Sequence, residues 1–489
     1  MDATIICTAR DIVVNGINAD SEFVNTRNEV QIHLMFCDSI HITSKSLQSK
    51  DIRFKVSLDE LNQRDCHQLS DDTNEENKCN AIEISVMNDN ESHFGPQEPN
   101  GRLYSAKEYI LFRTKVTEMD AMAFTIDLYS SGSDSDEDIK RIAFCNIFAS
   151  HLKDTNGFIS MPFNAENGKI VAQLKMEYLI LNPMKGTLDL NGKTSDESWL
   201  KQGKGVRYDV GHRGAGIARR TDRIENILEN TIASFNFASL HGADMVELDV
   251  QLSKDKVPIV YHDFNVNIIM KNKKSKSNSG EPSTEVHTMA IKDLTFKQLQ
   301  SLQLSPVIKE DETEDNLPFA SLQKVLELVD PKCGLNVEIK YPQQKICGQW
   351  EAEKTLDLNE YVDIIVSTVF ANAGHRNIVF SCFHPDICSL LKYKQDRYPV
   401  LFLTQGLTKK WQQYKDRRNA SIEMAVYFAQ SQGLEGINAH AEDIILDRTL
   451  IRFVKSKQLI LFCWGEDLNK TELISELKEE GVDGVVYDQ

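Results

Sequence analysis

No C-x-x-C pair occurs in this chain of 489 residues, and its ten cysteines are scattered without even spacing. That argues against a cysteine-ligated zinc site and a disulfide framework, and it fits reduced thiols in a cytoplasmic protein. No apolar run reaches the length of a bilayer, and the N-terminal MDATIICTARDIVVNG has no charged start followed by an apolar core. Neither a transmembrane segment nor a secretory signal is expected. Positive charge is also short: 55 Lys and Arg face 73 Asp and Glu, a formal charge of -18. That balance opposes nucleic acid or an anionic membrane as a general partner. No G-x-G-x-x-G follows a strand pattern, so a dinucleotide fold has no support. A small-molecule ligand is expected, and the sequence names no protein partner.

What is present divides into two halves. Residues 1–185 read as short alternating runs such as VQIHLMF, DIRFKVSL, EYILFRTKV and AFTIDLYS, separated by polar turns. This pattern predicts an antiparallel β-sandwich of roughly eight strands. Its final runs, from IAFCNIF to KMEYLIL, resemble the closing strands of C2-type sandwiches. Asp134, Asp136 and Asp138 in SSGSDSDEDIKR look like the start of a calcium loop, but Ile139 stands where the glycine belongs and no matching Glu follows. A solvated acidic hairpin is expected there, with Ser133 and Ser135 as candidate phosphorylation sites. Residues 186–206 read as a linker. From 207 to 489 strand and helix patterns alternate, with about eight strands, which predicts an α/β TIM barrel. The overall expectation is a multidomain chain, a C2-like sandwich followed by that barrel.

The stretch MVELDVQLSKDKVPIVYHD, residues 245–263, places Glu247 and Asp249 inside an otherwise apolar strand. Residues two apart share a face of a strand, so the two carboxylates point the same way and need a cation between them. In a barrel of this kind chemistry gathers at the C-terminal strand ends. There the chain offers His212 and Arg213, then Glu247 and Asp249, then His262 and Asp263, then Glu338 and Lys340, and finally Trp464. Three carboxylates can hold a hard divalent cation through oxygen, with Mg2+ expected first and Ca2+ or Mn2+ as alternatives. Two histidines beside it suit acid and base work. Asp263 either orients His262 or caps the loop, Asn230 is predicted to cap a helix starting near Thr231, and Glu229 is a partner for Arg213. His241, His375 and His440 are read as structural. The polar run after Asp263, FNVNIIMKNKKSKSNSGEPSTEVHT, reads as an insertion at the barrel mouth.

Taken in order, VGHRGAG, ENTIASF, GADMVELDVQLSKDKVPIVYHD, LNVEIK and GVDGVVYD resemble the glycerophosphodiester phosphodiesterases over residues 208–489. HTMAIKDLTFKQLQSLQL, VLFLTQG, GINAHAED and LFCWGED narrow the resemblance to the cytosolic, glycerophosphocholine-cleaving branch. The resemblance implies Glu247, Asp249 and Glu338 as metal ligands, His212 and His262 as the catalytic acid and base, and Arg213 and Lys340 on the phosphate. It further implies that the substrate's own adjacent hydroxyl attacks phosphorus, giving a cyclic phosphate that water opens to glycerol 3-phosphate. Trp464 is expected against the choline head group. The same chemistry on lysophospholipids or other glycerophosphodiesters, or a non-catalytic scaffold, are the alternatives. That branch carries an N-terminal starch-binding module for which this chain has no match, so glycogen targeting is not expected. The sequence stops at Gln489, at the last barrel strand, where a closing helix is expected, so the expectation is a shortened isoform or an excised piece of a longer chain, with room for an uncovered barrel flank.

Overall fold

The computed structural model describes residues 29–61, 82–130, 139–185, 199–202, 205–215, 227–271, 284–302, 313–354 and 356–488. The acidic run containing Ser133 to Asp138 lies outside them, as does most of the 186–206 linker.

In the N-terminal half, eleven described strands form one continuous antiparallel sheet. The count exceeds the sequence reading because pieces such as Gly95–Pro96 and Arg102–Leu103 are too short to show alternation. The sheet folds over on itself. Phe36 of strand Val30–Cys37 and Phe54 of strand Ile52–Glu60 are far apart in strand order, yet their rings are 5.4 Å apart. Phe112 meets them at 5.2 and 5.8 Å. Such aromatic packing between facing layers is what makes a sandwich core.

One outer face of this sandwich is not free. Along Val30–Cys37, Ile32, Leu34 and Phe36 enter the sandwich core, while Met35 packs into the barrel's core. Strand Tyr109–Val116 divides in the same way, Ile110 and Phe112 inward against Tyr109 and Leu111 toward the barrel. Both faces of these strands are buried, so their sequences are more apolar than a half-exposed strand requires. Polar groups join the seam. Arg418, only 2% exposed, donates to Asp386 at 2.8 Å and Asp416 at 2.6 Å, and Asp386 also accepts from Asn156 of the sandwich at 3.2 Å. Asn359 of the barrel donates to Thr155 Oγ1 and the Ile180 carbonyl, each at 2.9 Å. A buried guanidinium is tolerable only when paired in this way.

Among the described residues, the C-terminal half contains eight parallel strands: 1, Tyr208–Gly211; 2, Met245–Leu252; 3, Gly334–Ile339; 4, Ile378–Cys382; 5, Val400–Thr404; 6, Gly436–His440; 7, Ile460–Trp464; and 8, Gly484–Tyr487. Strand 1 pairs with both 2 and 8, which closes the barrel. Alternation along strand 2 sends Val246, Leu248 and Val250 outward to the helices, and with the opposite parity Met245, Glu247, Asp249 and Gln251 line the interior. At the N-terminal end that interior is filled by Val210, Met245, Val379, Leu401, Phe462 and Val486, and Leu200 of the short helix Trp199–Gln202 joins them. Apolar side chains thus close one end, and the polar ones collect at the other.

After strand 2 a short antiparallel strand, Pro258–Val260, carries the chain to His262. Asn265–Lys271 then pairs with Thr284–Ala290 as a hairpin, which is the insertion expected at the mouth. Its Val266 packs with Ile291, Leu294, Leu299 and Phe319 in a satellite core, so much of the HTMAIKDLTFKQLQSLQL motif serves packing. Among the described residues, no helix is long and apolar enough to cross a membrane.

Candidate active site

The turn after strand 1 is built first. Arg213 adopts φ 50° and Gly214 φ 91°, and a Cβ on Gly214 would lie 2.3 Å from Ser234 Oγ. Only glycine fits at that position. Ser234 donates to the Arg213 carbonyl at 3.0 Å and accepts from the Ala215 amide at 2.7 Å. The VGHRGAG and ENTIASF segments therefore lock together. Thr231, not Asn230, is the helix cap: its hydroxyl accepts from the Ser234 amide. Asn230, at φ 58°, instead donates to Asp249 Oδ2 at 2.8 Å and accepts from the Asp249 amide at 3.2 Å. The predicted cap is thus an orienting residue of the site.

Ligand oxygens of Glu247, Asp249 and Glu338 all lie within 4.8 Å of one another. Register explains this: Asp249 of strand 2 stands opposite Glu338 of strand 3. Two cations balance the acids in part. Lys340 Nζ is 2.9 Å from Glu338 and 3.6 Å from Asp249, and Arg213 reaches Glu229 at 2.8 Å and Asp249 at 3.5 Å. The expected pairing of Arg213 with Glu229 is present. Burial, and then Asp249 and Glu338, push the Glu247 carboxyl well above its ordinary range. For Asp249 burial acts the same way, but His262, Lys340 and Arg213 outweigh it and hold the group below the usual carboxylate range. Burial likewise opposes the charge of Lys340, and Glu338 and Asp249 overcome it and raise its pKa. Glu247 Oε2 accepts from the Arg213 amide at 3.0 Å, while its buried Oε1 has no partner among the described residues. This donor set, all carboxylate oxygen with one buried oxygen left unpartnered, fits a hard divalent cation.

Both histidines flank the acids, each with Nδ1 tied to a carboxylate. His212 is 2.6 Å from Asp488 and His262 is 2.7 Å from Asp263, with 28% and 35% of their side chains exposed. Burial works against the charge of Asp488, but the hydrogen bond and charge of His212 lower its pKa, and the hydrogen bond from His262 lowers that of Asp263. An ionised carboxylate can only accept, so Nδ1 donates and Nε2 remains for a proton in transit. Asp263 orients rather than caps. Asp488 is held in turn by Asn469, which donates to its side chain at 3.3 Å and accepts from its amide at 2.9 Å. Gln251, next inward after Asp249, grips the carbonyls of Tyr261 and Asp263 at 2.8 and 2.9 Å and so fixes the His262 turn. Sequence reasoning assigned no role to Asp488, Asn469 or Gln251; the inward parity of strand 2 was the available signal for Gln251.

Trp464, at the end of strand 7, lies on the opposite side of the mouth among Phe383, Trp411 and His440. His440 is buried, and His375 and His241 are exposed away from the acids, His241 stacked on Phe237 at 4.0 Å. The eight expected site residues therefore form two groups: seven around the acids and Trp464 across from them.

Comparison with known proteins agrees with this architecture. Residues 212–489 match the glycerophosphoryl diester phosphodiesterase family and residues 34–185 match the GDE1-like C2 domain. The chain is 34% identical to human glycerophosphocholine phosphodiesterase GPCPD1 over 506 aligned residues, covering 97% of this chain and 74% of the relative. Against the Schizosaccharomyces pombe glycerophosphocholine phosphodiesterase gde1 it is 34% identical over 346 residues, covering 63% of this chain and 29% of that one. A glycerophosphodiester phosphodiesterase structure from Parabacteroides distasonis is 19% identical, with a TM-score of 0.40, covering 58% of this chain and 92% of that chain. On the strength of the family match and of a human relative aligned over 97% of this chain, the chain is an enzyme of the glycerophosphoryl diester phosphodiesterase family.

Proposed function

We propose that the enzyme hydrolyses glycerophosphocholine to glycerol 3-phosphate and choline with a divalent cation held by Glu247, Asp249 and Glu338. The observation that carries this reading is the convergence of three acid ligand oxygens within 4.8 Å, flanked by two histidines whose Nδ1 atoms are each committed to a carboxylate. The names of the relatives supply the choice of alcohol. All-oxygen ligation favours Mg2+, with Ca2+ or Mn2+ as alternatives. When bound, the cation supplies positive charge against the phosphoryl oxygens.

The chain's own groups do the rest. Arg213 and Lys340, the two cations beside the acids, bind the phosphate and offset charge developing on it. One histidine takes, at Nε2, the proton of the substrate hydroxyl adjacent to the phosphoester, and that oxygen bonds to phosphorus. The other gives its Nε2 proton to the departing choline oxygen. Water then opens the resulting cyclic phosphate with the two roles reversed. Tethering the nucleophile supplies proximity without a covalent enzyme intermediate. We also place the protein in the cytoplasm, because all seven described cysteines are free thiols.

Calorimetric titration with Mg2+ tests the metal site apart from turnover. The wild type is expected to bind one ion, Glu247→Gln and Asp249→Asn to lose detectable binding, and His212→Ala to retain it. A wild type that binds no divalent ion, or acid variants that bind it unchanged, would remove the metal from the account.

A further inference from the structure

We propose that Phe383, Trp411, Tyr414 and Trp464, with Glu351 at their edge, form the alcohol head-group subsite and select a quaternary ammonium. This rests on the phosphodiester reading above and assigns the residues that select its alcohol. Around the barrel the acids and histidines occupy strands 1 to 3 and the segment after strand 2, whereas the aromatics come from strands 4, 5 and 7. Phe383 directly follows strand 4, Trp411 and Tyr414 sit in the loop after strand 5, and Trp464 ends strand 7. A diester lying across the mouth has its phosphate at one arc and its alcohol at the other.

The rings form a connected wall. Trp411 stacks on Trp464 at 5.5 Å and 28°, Phe383 meets Trp464 at 5.5 Å and 85°, and Tyr414 lies 6.0 Å from Phe383. Trp411 is 43% exposed on a loop, LTKKWQQYKDRR, that is otherwise mostly polar, so hydrophobic burial alone does not account for it. At the wall's inner end Glu351 accepts from Tyr414 at 2.8 Å and from the Gln343 amide at 3.0 Å, and its charge reaches Lys340. That electrostatic influence links the wall to the phosphate side. Behind the wall His440 is 4.7 Å from Trp464 and 4.9 Å from Trp411. Burial lowers its pKa to about 4, so it adds no repelling charge at neutral pH. Lys410, the nearby cation, is paired with Asp467 at 3.0 Å.

Aromatic faces attract a cation without offering hydrogen-bond acceptors. A trimethylammonium group has no N–H to satisfy and loses less on leaving water than a primary ammonium does. A primary ammonium must give up hydration, and Glu351 alone is a poor replacement.

The test compares glycerophosphocholine with its uncharged isostere, in which 3,3-dimethylbutanol replaces choline, and with glycerophosphoethanolamine. Wild-type kcat/KM should favour the choline ester over the isostere by about tenfold, within the roughly two- to thirty-fold range of a cation over aromatic faces. Trp411→Leu and Trp464→Leu keep apolar bulk and should collapse that ratio toward one, while Trp464→Phe should recover part of it. Equal losses on both esters, or a ratio unchanged by either substitution, would overturn the subsite and leave the phosphodiesterase reading in place. A wild type that cleaves none of the three esters would overturn that reading and the subsite with it.

Discussion

A glycerophosphocholine analogue lacking the hydroxyl next to the phosphoester should bind as a competitive inhibitor and should not turn over. It retains the charge and the phosphate proposed to face Arg213, Lys340 and the acids, so ground-state contacts should survive. It loses the tethered attacker. A well-placed intramolecular nucleophile can be worth roughly 7–11 kcal/mol of barrier, so turnover should fall below detection. Glycerol cyclic phosphate should in turn be accepted as a substrate, since it enters at the second half of the reaction. Cleavage of the deoxy compound at a rate near that of the natural ester would mean that water attacks directly. The metal site would stand and the two-step route would not.

The second large effect belongs to the histidines. His212→Ala and His262→Ala should each lower kcat by about a hundred- to ten-thousand-fold, the usual cost of losing a general acid or base, while Mg2+ binding persists. Their placement supports this split. Each imidazole spends Nδ1 on its carboxylate, Asp488 or Asp263, and neither belongs to the acid triad. Asp488→Asn should act in the same direction by releasing the ring orientation. Near-normal turnover in either alanine variant would assign its role to another group.

How much of this was legible beforehand depends on the range of the signal. The acids were legible because their spacing of two survives in a strand, and strand 2 indeed turns Glu247 and Asp249 inward together. Asn230 was not, because a cap and an orienting residue look alike until the backbone conformation is known, and φ 58° takes it out of the cap position. Asp488 meets His212 across 276 residues, a contact that no local pattern encodes. The aromatic wall is hidden for the same reason, since its members come from separate strand ends. In the sandwich, alternation was clear, but burial of the second face by the barrel, at residues such as Met35 and Leu111, joins distant segments and is not encoded in alternation.

Choline release from glycerophosphocholine, followed with and without excess chelator, tests the central claim most directly. The account expects release of choline and glycerol 3-phosphate by the wild type, loss of turnover with chelator, and recovery when Mg2+ is restored. Full activity in excess chelator, or no choline release under any metal condition, would contradict it.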